Sequence, residues 1–170
     1  MPTGRSAFWI QAGPEFKRVA VTLRSVDRAL PGELRKRLKD GVQPLVREAK
    51  AKVLGLPVQG HAGSTGLRRR VARGVGVKAG VSRSGSFRVT TSMANPDEVA
   101  IPRGLDSPRG WRHPVFGNRD NWVTQRALEP GWFTETMVSG RDDIEQSLTD
   151  ALEWARDTIA SAGGPPRPGV

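Results

Sequence analysis

Apolar positions recur every three or four residues in two stretches of the chain and alternate in a third. Leu30, Leu34, Leu38, Val42, Leu45 and Ala49 line one side of a 3.6-residue repeat and predict a long helix. Pro31 sits where a first-turn proline is tolerated, and Glu33 lies early, where the helix dipole favours an acid. Arg35, Lys36, Arg37 and Lys39 cover the other face. Pro44 predicts a kink or a second start, because it removes one amide bond and crowds the preceding turn. Gly55 and Pro57 end the element. Ile144, Leu148, Leu152, Ala155 and Ile159 predict a last helix over roughly residues 140–160, with Asp142, Asp143 and Glu145 in its first turns. Val71, Arg73, Val75, Val77, Ala79 and Val81 alternate with Ala72, Gly74, Gly76, Lys78 and Gly80, which predicts a strand with one face apolar but for Arg73 and one face mostly glycine.

Around these elements the signals are shorter. Residues 1–18 read as an arm or short edge element anchored by Phe8, Trp9 and Ile10, and residues 19–29 as a strand passing into a helix. Thr65 caps a short helix beginning near Leu67. Phe87–Ser92 returns as a second strand, and a third includes Glu98–Ile101. Residues 102–122, rich in Gly and Pro, read as an extended interaction loop, and residues 163–170 as a disordered tail without means of packing. The expectation is an α+β domain over residues 19–162: a small, mostly antiparallel sheet with a long helix in the N-terminal half and a C-terminal helix.

Half of the ten aromatic residues fall between positions 111 and 133: Trp111, Phe116, Trp122, Trp132 and Phe133. Aromatic rings on a turn-rich segment serve packing, either in their own core or against a partner. Trp111, His113, Pro114, Val115, Phe116, Trp132 and Phe133 are therefore the candidate partner interface.

The formal charge of +10 adds a second theme. It is unevenly placed. Residues 17–50 hold ten Lys/Arg against four Asp/Glu, and residues 68–109 hold nine against three. Residues 129–160 reverse the balance, with two Arg against eight acids. A basic front and an acidic back pair either within one subunit or head to tail between copies. A strongly basic surface also suits nucleic acid or an acidic protein face, with plain solubility as the alternative. Arg68, Arg69 and Arg70 are the candidates for an acidic-partner or DNA-facing patch.

Reactive chemistry is sparse. With no Cys there are no disulfides and no thiolate nucleophile. His61 and His113 are the two imidazoles, and no clustered metal set accompanies them. The Gly63-Ser64-Thr65-Gly66 run resembles part of an anion-binding loop but lacks the full phosphate-loop spacing and its lysine. No apolar run approaches the length of a membrane span, and no secretory signal pattern opens the chain. No catalytic, cofactor or metal role is expected.

The long basic helix ending near Ala49-Lys50 is followed by Ser64-Thr65-Gly66-Leu67-Arg68-Arg69 and a Val/Gly-rich strand. Then come Trp111-Arg112-His113-Pro114-Val115-Phe116-Gly117-Asn118, Pro130-Gly131-Trp132-Phe133 and the acidic last helix. Over roughly residues 20–160 this order resembles the HK97 gene-product-10-like family of tailed-phage neck or tail-completion proteins, in a form found in phages of actinobacteria. The His-Pro-Val-Phe-Gly stretch departs from the commoner aromatic-glutamate-Phe-Gly pattern. The resemblance implies a structural α/β subunit of the head–tail connector, without enzymatic activity. It implies a ring, sixfold on the tail side, around the channel through which DNA passes without sequence-specific binding. Its implied neighbours are the head-closure (stopper) protein, the tail terminator or the tail tube protein. The implied location is the neck of the virion, after assembly in the host cytoplasm. A tail terminator and a basic nucleic-acid-binding module are the alternative readings.

Overall fold

In a computed structural model the chain folds as α+β. The structure describes residues 7–11, 14–57, 65–80, 86–115 and 117–163. Its elements are β1 (Ala7–Gln11), α1 (Pro14–Val26), α2 (Leu30–Gly55), α3 (Leu67–Gly74), β2 (Val75–Gly80) and β3 (Ser86–Thr91). A short 3-10 turn (Pro96–Glu98) leads to α4 (Ile101–Asp106), β4 (Trp111–Val115), β5 (Asn118–Gln125), α5 (Thr134–Ser139) and α6 (Arg141–Ala162). A small open sheet has the order β1-β3-β2, and β4 pairs with β5 as a separate antiparallel ribbon.

The chain divides into two compact units. One comprises residues 9–43, 78–88 and 142–170. Its core is a helical cluster: Phe16, Ala20 and Leu23 from α1, Leu34 and Leu38 from α2, and Ala151 and Ala155 from α6. Leu148, Leu152 and Ile159 pack partly buried against it. Leu34, Leu38, Leu148, Leu152, Ala155 and Ile159 are residues that the 3.6-residue repeat places on one face, so the apolar stripes of α2 and α6 are matched by burial. The turn into α2 is closed by Asp27, whose Oδ1 accepts from the Ala29 amide at 2.7 Å. On the surface of this unit the Arg37 guanidinium lies 4.5 Å from the centre of the Trp154 ring.

The other unit comprises residues 1–8, 44–77 and 89–141. Leu45, Val46, Ala49 and Val53 of α2 are buried, as are Val71 and Ala72 of α3, Val75 of β2 and Val89 of β3. Pro44 lies inside a continuous α2 and marks the change from one unit to the other along this helix.

Several expectations change. Of the two readings for residues 1–18, the short edge element holds at 7–11, which form the edge strand β1, while 14–26 are helical and 19–29 is not a strand. The strand expected from Val71 begins only at Val75. The preceding Leu67–Gly74 is helical, because Val71 and Ala72 are buried on one side while Arg69 and Arg73 stay exposed, a helical rather than an alternating pattern. Gly66, with a φ of 70°, forms the cap of α3, and Thr65 Oγ1 accepts weakly from the Leu67 amide at 3.4 Å. The third strand expected over 98–101 is replaced by the 3-10 turn and the start of α4, with Asn95 Oδ1 accepting from the Asp97 amide and proline in the first turn of each. Residues 102–122, expected as a loop, supply most of α4, all of β4 and the first five residues of β5. The expected tail beyond Gly163 lies outside the described residues.

Candidate partner interface

The β4–β5 ribbon is the distinctive surface of its unit, and its root explains how it is held. Trp111, the first residue of β4, is buried and lies on α4 over Gly104. A Cβ at Gly104 would fall 2.6 Å from the Trp111 Cβ and Cε3 atoms, so only glycine lets the indole settle there. Gly110 precedes it with a φ of 70°, and a side chain there would run into the Gln125 carbonyl of the partner strand.

Beyond this root, the register pairs Trp111 with Gln125, Arg112 with Thr124, His113 with Val123 and Pro114 with Trp122. It then slips, so that Val115 lies opposite Asn118. Pro114 is tolerated because a two-stranded ribbon has only edge strands. Gly117, with a φ of 80°, leads the chain into β5.

All eight residues of β5 are exposed. Trp122 remains 46% exposed and Val123 40% exposed. The Trp122 indole N–H donates to the Arg119 carbonyl at 2.6 Å, and the Arg112 guanidinium lies 5.8 Å from the Trp122 ring centre. His113 meets Gln125 Oε1 through Nε2 and the Pro114 carbonyl through Nδ1, each at 3.1 Å. Its ring is tilted 30° to that of Trp111, with centroids 6.3 Å apart. A concavity of about 780 Å³ opens beside the ribbon, with Arg70, Glu98, His113 and Trp122 among its walls. The side chains left exposed on the ribbon include Arg112, Arg119, Trp122 and Val123.

The expected interface residues separate into two groups. His113, Pro114 and Val115 lie half-buried on the ribbon, and Phe116 lies outside the described residues. Trp111, Trp132 and Phe133 are buried in their own chain at 9%, 3% and 2% exposure, so they hold the fold and offer no contact surface. Trp132 and Phe133 meet edge to face, 5.6 Å between centroids. They are fixed by Asp106, 27 and 28 residues earlier than the amides that it caps: its Oδ1 accepts from the Phe133 and Thr134 amides at 2.7 and 3.0 Å, and its Oδ2 from the Thr134 hydroxyl. Helix α5 has no capping side chain of its own, and the distant carboxylate takes that place.

The arginine run is likewise turned inward. Arg70 grips Glu98 with two parallel bonds, Nε to Oε2 at 3.1 Å and NH2 to Oε1 at 2.7 Å, and its NH1 donates to the Thr65 carbonyl at 3.0 Å. Arg68 donates to the Leu56 carbonyl. Of the three, Arg69 is the exposed one. Arg68 and Arg70 thus tie α3 to its surroundings, and Arg69 is the member of the run that faces solvent. His61, Gly63 and Ser64 lie outside the described residues.

Trp122, Arg112 and Arg119 are exposed ribbon residues beyond the interface candidates read from the sequence. A signal for them is present: Trp122-Val123-Thr124 is a run of strand formers. No family model, curated protein or solved structure matches this chain.

Proposed function

We propose that this chain is a structural subunit of a tailed-phage head–tail connector, a tail-completion protein that assembles into a ring and joins tail to head around the DNA channel. It acts by assembly rather than turnover. The observation that carries this reading is the β4–β5 ribbon, whose second strand has every residue exposed and bears Trp122 beside two arginines. A two-stranded ribbon is marginally stable alone in water, and Trp and Arg are the side chains that dominate protein–protein contacts. The order of motifs over residues 20–160 supplies the choice of neck protein over other assemblies.

Native mass measurement at moderate salt is expected to give discrete closed oligomers, and cryo-electron microscopy of purified particles is expected to place ordered copies in the neck. A chain that stays monomeric and is missing from particles overturns the reading.

A further inference from the structure

Helix α6 carries a second exposed surface that its core stripe does not use. Asp142, Gln146, Asp150, Glu153 and Asp157 are all exposed and spaced four, four, three and four residues apart, which aligns them on one face. That face lies opposite Ile144, Ala151 and Ala155, which are buried. Gln146 Nε2 donates to Asp150 Oδ1 at 2.7 Å and orders the middle of the stripe. On its flank, Arg156 is directed to Glu15 at 3.6 Å. The stripe runs for about 22 Å at 1.5 Å per residue. The eight residues of β5 span about 27 Å in extended form. The ribbon thus carries Arg112, Arg119 and Trp122 with a single acid, Asp120, and α6 carries an acidic face of similar length.

We infer that the β4–β5 ribbon of one copy docks on the Asp142–Asp157 face of α6 in a second copy, with Arg112 and Arg119 against the carboxylates and Trp122 on the neutral Gln146 and Thr149. This rests on the ring reading above and names the contact that builds the ring. The contact is heterologous: each copy uses its ribbon toward one neighbour and its helix toward the other, so the chain of contacts closes or propagates by the subunit rotation alone. Charge favours this register over ribbon-to-ribbon pairing, because Arg112 and Arg119 meet the carboxylates of Asp142, Asp150, Glu153 and Asp157 on α6 but only Asp120 on another ribbon.

The test uses the full chain in sedimentation velocity. The wild type self-associates, and raising salt from about 0.1 M to about 0.5 M weakens that association. R112E/R119E and D150K/E153K each weaken it by about tenfold or more, while thermal melting stays at the wild-type temperature. Mixing the two variants restores association, because each reversed surface then finds an opposite one. The chain lacks cysteine, so a Thr124→Cys copy mixed with a Thr149→Cys copy gives a mixed cross-link with a short bismaleimide.

Oligomers that survive both reversals overturn the docking assignment and leave the ring intact. A wild type that remains monomeric, yet shifts duplex DNA in a manner lost in R112E/R119E, overturns it in favour of a nucleic-acid contact. Mixed-variant rescue in a chain that is absent from particles keeps the docking assignment and removes the neck reading.

Discussion

The helical cluster of α1, α2 and α6 and the β4–β5 ribbon use apolar side chains in opposite ways. In the cluster, each apolar stripe finds another within the same unit, and Leu23, Leu34 and Ala155 reach zero exposure. On the ribbon, only Trp111 at the root is buried, and Trp122 and Val123 stand in solvent. The contrast shows that the density of aromatic residues in a segment does not mark an interface. What marks it is whether the local backbone can bring those rings back onto their own unit. At Trp132 and Phe133 a turn capped by Asp106 does so; at Trp122 a two-strand ribbon does not.

The sharpest way to break this contrast is to truncate both kinds of ring. Phe133→Ala and Trp132→Ala are each expected to cost about 3–5 kcal/mol of stability, read from denaturant midpoints. Leu34→Ala in the helical cluster is expected to cost about 2–5 kcal/mol without touching the ribbon. Gly104→Ala is expected to cost about 1–3 kcal/mol by pushing Trp111 off α4, and hydrogen exchange should then accelerate in β4 and β5 ahead of the rest. Removing the distant cap with Asp106→Ala is expected to cost about 1–2 kcal/mol, since three bonds to one carboxylate vanish and α5 loses its N-terminal acceptor. Trp122→Ala is expected to change stability by less than about 0.5 kcal/mol while weakening self-association. A stability loss at Trp122 as large as that at Trp132 would erase the distinction between the two regions.

Much of the fold is legible in the order of residues. The α2 and α6 stripes mark their helices directly, because an apolar repeat of 3.6 residues sustained over about twenty positions falls on one side of a helix and of no other regular element. Leu67–Gly74 is harder. The spacing of its Val71 with Val75 and Val77 of β2 suits alternation, yet Val71 belongs to a helix and the others to a strand, and the burial of Ala72 beside Val71 marks the boundary. For the candidate interface, sequence points to the segment that holds the ribbon but favours rings that turn out to be buried. Trp132 and Phe133 follow a Pro130-Gly131 turn that reads as loop, whereas a carboxylate far away in sequence makes that turn the start of a helix.

From the residues alone come the α+β class, the two long helices, the uneven charge and the segment that holds the aromatic rings. Each is a property of spacing or composition, set by neighbours close along the chain. The pairing of Arg70 with Glu98, the capping of α5 by Asp106 and the seating of Trp111 on Gly104 are decided only in three dimensions. These contacts join residues 7 to 28 positions apart, and a local pattern carries no record of which distant group will satisfy a buried amide, charge or ring.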